Sequence, residues 1–285
     1  MPHSYHRARR SGQYCCVLSY ANVQQTVAKP SSMFLMLCAI SPTPLAGDGR
    51  YPLSCKRPHT LPAGEILMDL ALFDLDETLI DDDSASLWIR WLVGQGFAPA
   101  ELELQEQQLM QLYYQGKLSM EDYMQATLAP LTGLSVQTVA GWVQRYIRRD
   151  ILPRVYPAAR ERLQWHRERG DCILVISATG EHLVAPIAEQ LGADDALAIG
   201  VEISDGRFTG HTYGTMTYQQ GKVIRLQHWL AQHPHLKFEH SHGYSDSLND
   251  KAMLQFVDSA TVINPDSELS ALAAEHGWEV CRWER

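Results

Sequence analysis

The sequence predicts an α/β fold, a doubly wound (Rossmann-like) parallel sheet with a helical bundle inserted after its first strand. Three observations predict it. Short apolar runs without alternation, such as Leu70–Phe73, Cys172–Ser177 and Ala260–Ile263, read as strands buried on both faces. Between the later runs lie stretches of helical period closed by glycine, the pattern of βαβ units. The first two runs are separated by a long stretch, Ser84 to about Arg149, that is helical in spacing throughout.

Each element follows from local signals. Leu87, Trp88, Trp91 and Leu92 recur at helical spacing, then Leu102, Leu109, Met110 and Leu112. Pro99, Gly116, Pro130, Gly133 and Gly141 divide this stretch into about four helices. Pro157 to Arg169 reads as an amphipathic helix with Leu163 and Trp165 inward, closed by Gly170. After the strand Cys172–Ser177 comes a helix from His182 to Leu191. The runs Ala198–Ile203 and Arg207–Tyr213 flank Ser204-Asp205-Gly206, a hairpin signal. A helix over Gly221–Ala231 precedes a short strand at Gly243–Ser245. Helix Asn249–Phe256, strand Ala260–Ile263, helix Ser267–His276 and strand Trp278–Cys281 complete the alternation. The expected organisation is a catalytic core from residues 68–82 and 151–285, with a helical cap over 83–150.

Residues 1–67 differ in kind. They hold seven Lys or Arg against two acids and four of the six cysteines, and show no sustained period. They read as a disordered extension or as sequence upstream of a start at Met68. The apolar patch Met33–Ile40 is short, and too far along the chain for a signal peptide. The remainder holds 17 basic and 31 acidic residues, and the whole chain has a net charge of −9. That argues against a nucleic-acid partner. No apolar run approaches the roughly 20 residues of a membrane span. Cys172 and Cys281 give no disulfide framework, so a reducing, cytoplasmic setting is expected. Monomer and homodimer both remain open.

In open α/β sheets ligands sit at the carboxyl ends of strands. Those ends carry Asp74 and Asp76, then Ser177, then Asp246 and Asp250, with Lys222 opening a helix between the last two. Carboxylates that converge in one crevice repel one another unless a cation lies between them. Hard oxygen ligands suit Mg²⁺, which takes one or two carboxylates and completes its shell with water and substrate phosphate. The chemistry that fits is phosphate-ester hydrolysis. A carboxylate nucleophile divides it into two steps, a second carboxylate moves the proton, and a lysine and hydroxyl meet the charge on the phosphoryl oxygens.

FDLDET at Phe73–Thr78, SAT at Ser177–Thr179, GK at Gly221-Lys222 and YSDSLND at Tyr244–Asp250 resemble, in order, the four motifs of the haloacid dehalogenase superfamily. The helical insertion resembles the cap of its phosphoserine-phosphatase-like branch, and the resemblance runs from Met68 to about Arg282. It implies that Asp74 is nucleophile and Mg²⁺ ligand, and that Asp76 is general acid/base with its carbonyl on the metal. Asp246 would be a further metal ligand. Ser177, Ala178, Lys222 and Asn249 would hold the phosphoryl group, with Thr78 and Asp250 in support. Gly116–Val139 resembles the cap segment in which phosphoserine phosphatases carry a carboxylate-binding arginine. That arginine falls at Thr127, while the acidic residue for the substrate amine falls at Asp83. An uncharged Thr offers no fork to a carboxylate. The implied substrate is a small phosphorylated amine without that carboxylate, and the chain is similar to histidinol-phosphatases of this superfamily.

Other readings stay in view. Phosphoserine remains the runner-up if Arg90 or Arg145 reaches the pocket, and phosphoryl transfer to an alcohol is a third option. A non-catalytic phosphate-binding protein is a fourth. Asp81, Asp82 and Asp83 read as a helix-capping cluster with Asp83 facing substrate. His240 and His242 read as structural, and His182 as a substrate contact. Trp88, Trp91, Tyr113, Tyr114 and Tyr123 read as core more than pocket.

Overall fold

The computed structural model describes residues 68–285, so the expectations for 1–67 lie outside the described residues. Strand β1 (Met68–Phe73) leads into four helices, α1 (Ser84–Gly94), α2 (Glu101–Tyr114), α3 (Met120–Leu128) and α4 (Val136–Tyr146). Helix α5 (Pro157–Arg169) returns the chain to β2 (Cys172–Gly180) and α6 (Glu181–Leu191). The hairpin β3 (Asp195–Ser204) and β4 (Arg207–Tyr213) follows, then α7 (Gln220–Gln232), β5 (Phe238–Ser245) and α8 (Lys251–Phe256). Strand β6 (Ser259–Ile263), α9 (Ser267–His276) and β7 (Glu279–Cys281) end the chain.

The seven strands form one sheet in the order β4-β3-β2-β1-β5-β6-β7. Every neighbour pair is parallel except the β3–β4 hairpin. That hairpin turns on Asp205 and Gly206, at φ 51° and 72°, the doubly left-handed turn that suits twisted strands. β1 lies at the centre, with Phe73 beside Val175 of β2 and Tyr244 of β5. The period of two then sorts its side chains. Ala71 and Phe73 join one apolar cluster with α1, α4 and α6, while Leu70 and Leu72 join another with Leu226, Trp229 and Met253. Both faces of β1 are covered, as a parallel sheet requires.

Strands β3 and β5 begin several residues earlier than their apolar runs suggested: Asp195, Ala196 and Leu197 pair with β2, and Phe238, Ser241 and His242 pair with β1. One inward assignment fails. Leu163 is buried, but Trp165, two residues on and therefore on the opposite side of α5, is 44% exposed. Its ring instead lies beneath the guanidinium of Arg169, 4.6 Å away, and His166 takes the buried place. His240 and His242 both face Asp69, with His242 Nε2 at 3.1 Å. Among the described residues no helix is long and apolar enough to cross a membrane, and neither Cys172 nor Cys281 is in a disulfide.

Candidate active site

Ladder hydrogen bonds deliver three loops to one point. The amide of Asp74 donates to the carbonyl of Tyr244 at 2.9 Å, so the turn after β1 starts level with the end of β5. Thr78, fully buried, ties the two loops together: its hydroxyl donates to Asp246 Oδ1 at 2.8 Å and accepts from the Asp246 amide at 3.0 Å. The same hydroxyl is 3.4 Å from Asp74 Oδ2. On the other side, the Thr217 hydroxyl donates to the carbonyl of Ser177 at 2.6 Å, joining the loop before α7 to the end of β2. α7 can start there because residue 221 is glycine. A Cβ at Gly221 would sit 1.9 Å from the carbonyl oxygen of Met216.

Lys222, in the first turn of α7, thereby points into the centre. Its Nζ donates to Asp74 Oδ1 at 2.8 Å and to Asp250 Oδ2 at 2.7 Å, and the Ser245 hydroxyl donates to that same Asp250 oxygen. One buried cation is thus shared by two buried carboxylates, with Asp246 and Asp76 close by. Burial pushes Asp74 up to about 7: Lys222 opposes the shift, while the charges of Asp250 and Asp76 add to it. Burial and the neighbouring Asp74 charge push Asp246 up to about 8. Burial alone would lower Lys222, yet Asp250 and Asp74 together hold it above the ordinary lysine range. Asp76 accepts from the Ser84 amide at 2.7 Å and from the Thr179 hydroxyl at 3.1 Å. Burial, then the Asp83 charge, still raise it to about 6.

A cavity of about 440 Å³ opens over these groups. Its strand-end half is lined by Asp74, Asp76, Glu77, Ala178, Thr179, Lys222, Asp246, Asn249 and Asp250. Its helical half is lined by Asp83 and Ala85, by Met110, Met120 and Met124, and by Tyr113 and Tyr123, with Tyr218 facing them from the core. The three tyrosines form a row, Tyr123 to Tyr113 at 6.0 Å and Tyr113 to Tyr218 at 5.8 Å between ring centres. Asp83 caps α1, its Oδ1 accepting from the Ser86 amide at 2.7 Å. Burial raises its pKa, the Ser86 bonds oppose that, and the charges of Glu106 and Glu77 add to the rise.

Several expected residues sit elsewhere. Ser177 is fully buried under Asp76, its hydroxyl donating to Asp76 Oδ2 at 3.2 Å, and it is not on the cavity wall; Thr179 and Ala178 are. The cause is local: the Ser177 hydroxyl also accepts from the Thr179 amide, which holds it beneath the turn. Thr127 lies off the wall too, its hydroxyl spent on the carbonyls of Tyr123 and Met124 in its own helix. Of the three aspartates only Asp83 caps a helix; Asp81 pairs with Arg285 and Asp82 with Arg154. His182 is buried between Trp88 and Phe208, away from the wall. Trp88 and Trp91 are core, whereas Tyr113 and Tyr123 face the cavity; the Tyr114 side chain is outside the described set. Sequence reasoning missed Thr179 and Tyr218 on the wall; Thr179 could have been found as the third residue of the SAT run, and Tyr218 carries no sequence signal.

Residues 71–255 match the family of haloacid dehalogenase-like hydrolases. The chain is 35% identical over 218 residues to a histidinol-phosphatase of Neisseria meningitidis serogroup C, covering 75% of this chain and 98% of that one. It is 32% identical over 249 residues to a phosphoserine phosphatase of Mycobacterium tuberculosis, covering 84% and 75%. A crystal structure of a protein of unknown function from Bordetella pertussis Tohama I superposes with a TM-score of 0.70 at 34% identity, covering 75% of this chain and 98% of that one.

Proposed function

This chain belongs to the haloacid dehalogenase-like hydrolases, in their phosphoserine-phosphatase-like branch, and on that premise we propose that it hydrolyses a small phosphorylated amine, histidinol phosphate being the best candidate. The observation that carries the substrate is a charge count. Among the described residues Lys222 is the one Lys or Arg on the cavity wall, and Asp74 and Asp250 already engage it. A substrate carboxylate therefore finds no cation there. Arg90 pairs with Glu103 and Arg145 lies over Trp91, neither of them on the wall. An ammonium group finds Asp83, and a flat ring finds the tyrosines and methionines. The name of the Neisseria relative supports the same ester.

In this reading an Asp74 oxygen attacks phosphorus and the bond to the leaving alcohol breaks. Asp76, raised to about 6 and so partly protonated near neutrality, gives that alcohol its proton. Asp76 then takes a proton from the water that opens the aspartyl-phosphate, returning Asp74. Lys222 stays charged throughout and meets the phosphoryl oxygens. The donor set fits Mg²⁺: two carboxylates, Asp74 and Asp246, bridged by the Thr78 hydroxyl and under-compensated by one lysine. With the Asp76 carbonyl they would hold the ion, which supplies positive charge opposite the phosphoryl oxygens. The proposal takes residues 68–82 and 151–285 as catalytic core and 83–150 as the cap that selects the alcohol.

The test is phosphate release by purified protein, with and without Mg²⁺, from histidinol phosphate and phosphoserine, alongside Asp74→Asn. We expect histidinol phosphate to be favoured in kcat/KM, and Asp74→Asn to lose roughly 10⁴-fold in kcat or more while folding normally. Preference for phosphoserine would defeat the charge argument, and activity surviving in Asp74→Asn would defeat the nucleophile.

A further inference from the structure

Helix α2 presents mostly exposed or half-buried side chains, and among those described its one fully buried residue is a glutamate. Glu106 is 4% exposed. A residue that only anchored the helix would be apolar, because burying a carboxylate costs several kcal/mol unless it is compensated. Here the compensation is incomplete. Glu106 Oε1 accepts from the Ser86 hydroxyl at 2.8 Å and from the Tyr123 hydroxyl at 3.0 Å. Ser86 also donates its amide to Asp83, so one serine lies between the two carboxylates. Among the described residues neither Asp83 nor Glu106 makes an ion pair. Tyr123, which Glu106 holds, forms part of the cavity wall beside them.

We infer that Glu106, seated behind Asp83 and off the cavity wall, determines specificity: it concentrates negative charge in the helical half so that phosphate esters bearing an ammonium group are preferred. The inference rests on the reading of the cavity as a site for a phosphorylated amine. Glu106 is a positioning residue in this scheme. It acts through its field and through the Tyr123 hydroxyl, without touching the substrate. Its charge and its hydrogen bonds can be separated, because glutamine keeps an oxygen that accepts from Ser86 and Tyr123 while losing the charge.

The experiment compares kcat and KM of wild type, Glu106→Gln and Glu106→Asp for histidinol phosphate and for the same ester without its amine, 3-(imidazol-4-yl)propyl phosphate. Assays run at pH 8, where both imidazoles are neutral. Glu106→Gln should raise KM for the amine roughly tenfold or more, leave kcat within about twofold, and leave KM for the amine-free ester unchanged. Glu106→Asp should keep most of the preference. If the amide is not accommodated, as a thermal melt will report, Glu106→Met, which loses the hydrogen bonds as well, should raise KM for the amine roughly tenfold over whatever rise it causes for the amine-free ester. Equal KM increases for both esters would make Glu106 a scaffold residue only, and no change in either would remove it from specificity; each overturns the inference while the amine reading stands. A wild type indifferent to the amine overturns the reading and the inference together.

Discussion

In the strand-end half of the cavity a buried ammonium on Lys222 bonds Asp74 and Asp250, whereas in the helical half Asp83 and Glu106 have, among the described residues, hydroxyls and an amide but no cation. The first half carries its own partial compensation and is assembled from loops pinned by Thr78 and Thr217. The second is left negative and lined by adaptable Met and Tyr side chains. Chemistry common to all phosphate esters needs a fixed set of charges. Selection of one ester is more economically done with surfaces that a given substrate completes.

Removing the shared cation should break the first half most severely. Lys222→Met leaves Asp74 and Asp250 buried without their cation, which costs about 3–5 kcal/mol of stability, and phosphate release should fall roughly 10²-fold or more. Adding Asp250→Asn removes one of the two stranded charges, so the double variant should regain part of the lost melting temperature but no activity. If activity returned with stability, Lys222 would be a structural ion-pair partner and nothing more.

A smaller effect is the pH dependence of the strand-end carboxylates and its reversal by Mg²⁺. Asp74, Asp76 and Asp246 titrate near 7, 6 and 8 in the folded protein, all above the ordinary carboxylate value. The folded state therefore binds more protons than the unfolded one across that range. The stability these groups contribute is complete below about pH 4 and is lost as pH rises through 6, 7 and 8. In EDTA the melting temperature should fall between pH 5.5 and pH 8.5. Mg²⁺ should restore it, and by more at the higher pH. A Mg²⁺ increment independent of pH would mean that the ion does not sit among these carboxylates.

Legibility in the sequence followed the same division. The Asp205-Gly206 turn, the strand ends and the order Asp74, Ser177, Lys222, Asp246 could be read because backbone geometry constrains which residues fit there. Ser177 was placed by type and strand position, but the direction of its hydroxyl depends on Asp76 and on the Thr179 amide. Glu106 was not legible at all. In Glu101–Met110 it is one acid among several on a polar helix, and only the packing of α2 against α1 and α3 shows that it is the one turned inward. Trp165 failed for the opposite reason: a large apolar residue invites an inward reading, while the helical period puts Leu163 and His166 on the buried side.

The smallest expected effect falls on Thr127, the position where the resemblance placed a missing arginine. Its hydroxyl bonds its own helix and the residue is off the cavity wall. Thr127→Ala should therefore shift KM for histidinol phosphate by less than about twofold, since back-bonding of this kind adds little to a helix. Steady-state kinetics on the variant would check this. A larger shift, with kcat unchanged, would mean that the selective surface extends along α3 beyond Tyr123 and Met124, and that the helical half of the cavity closes further around its substrate than its walls indicate.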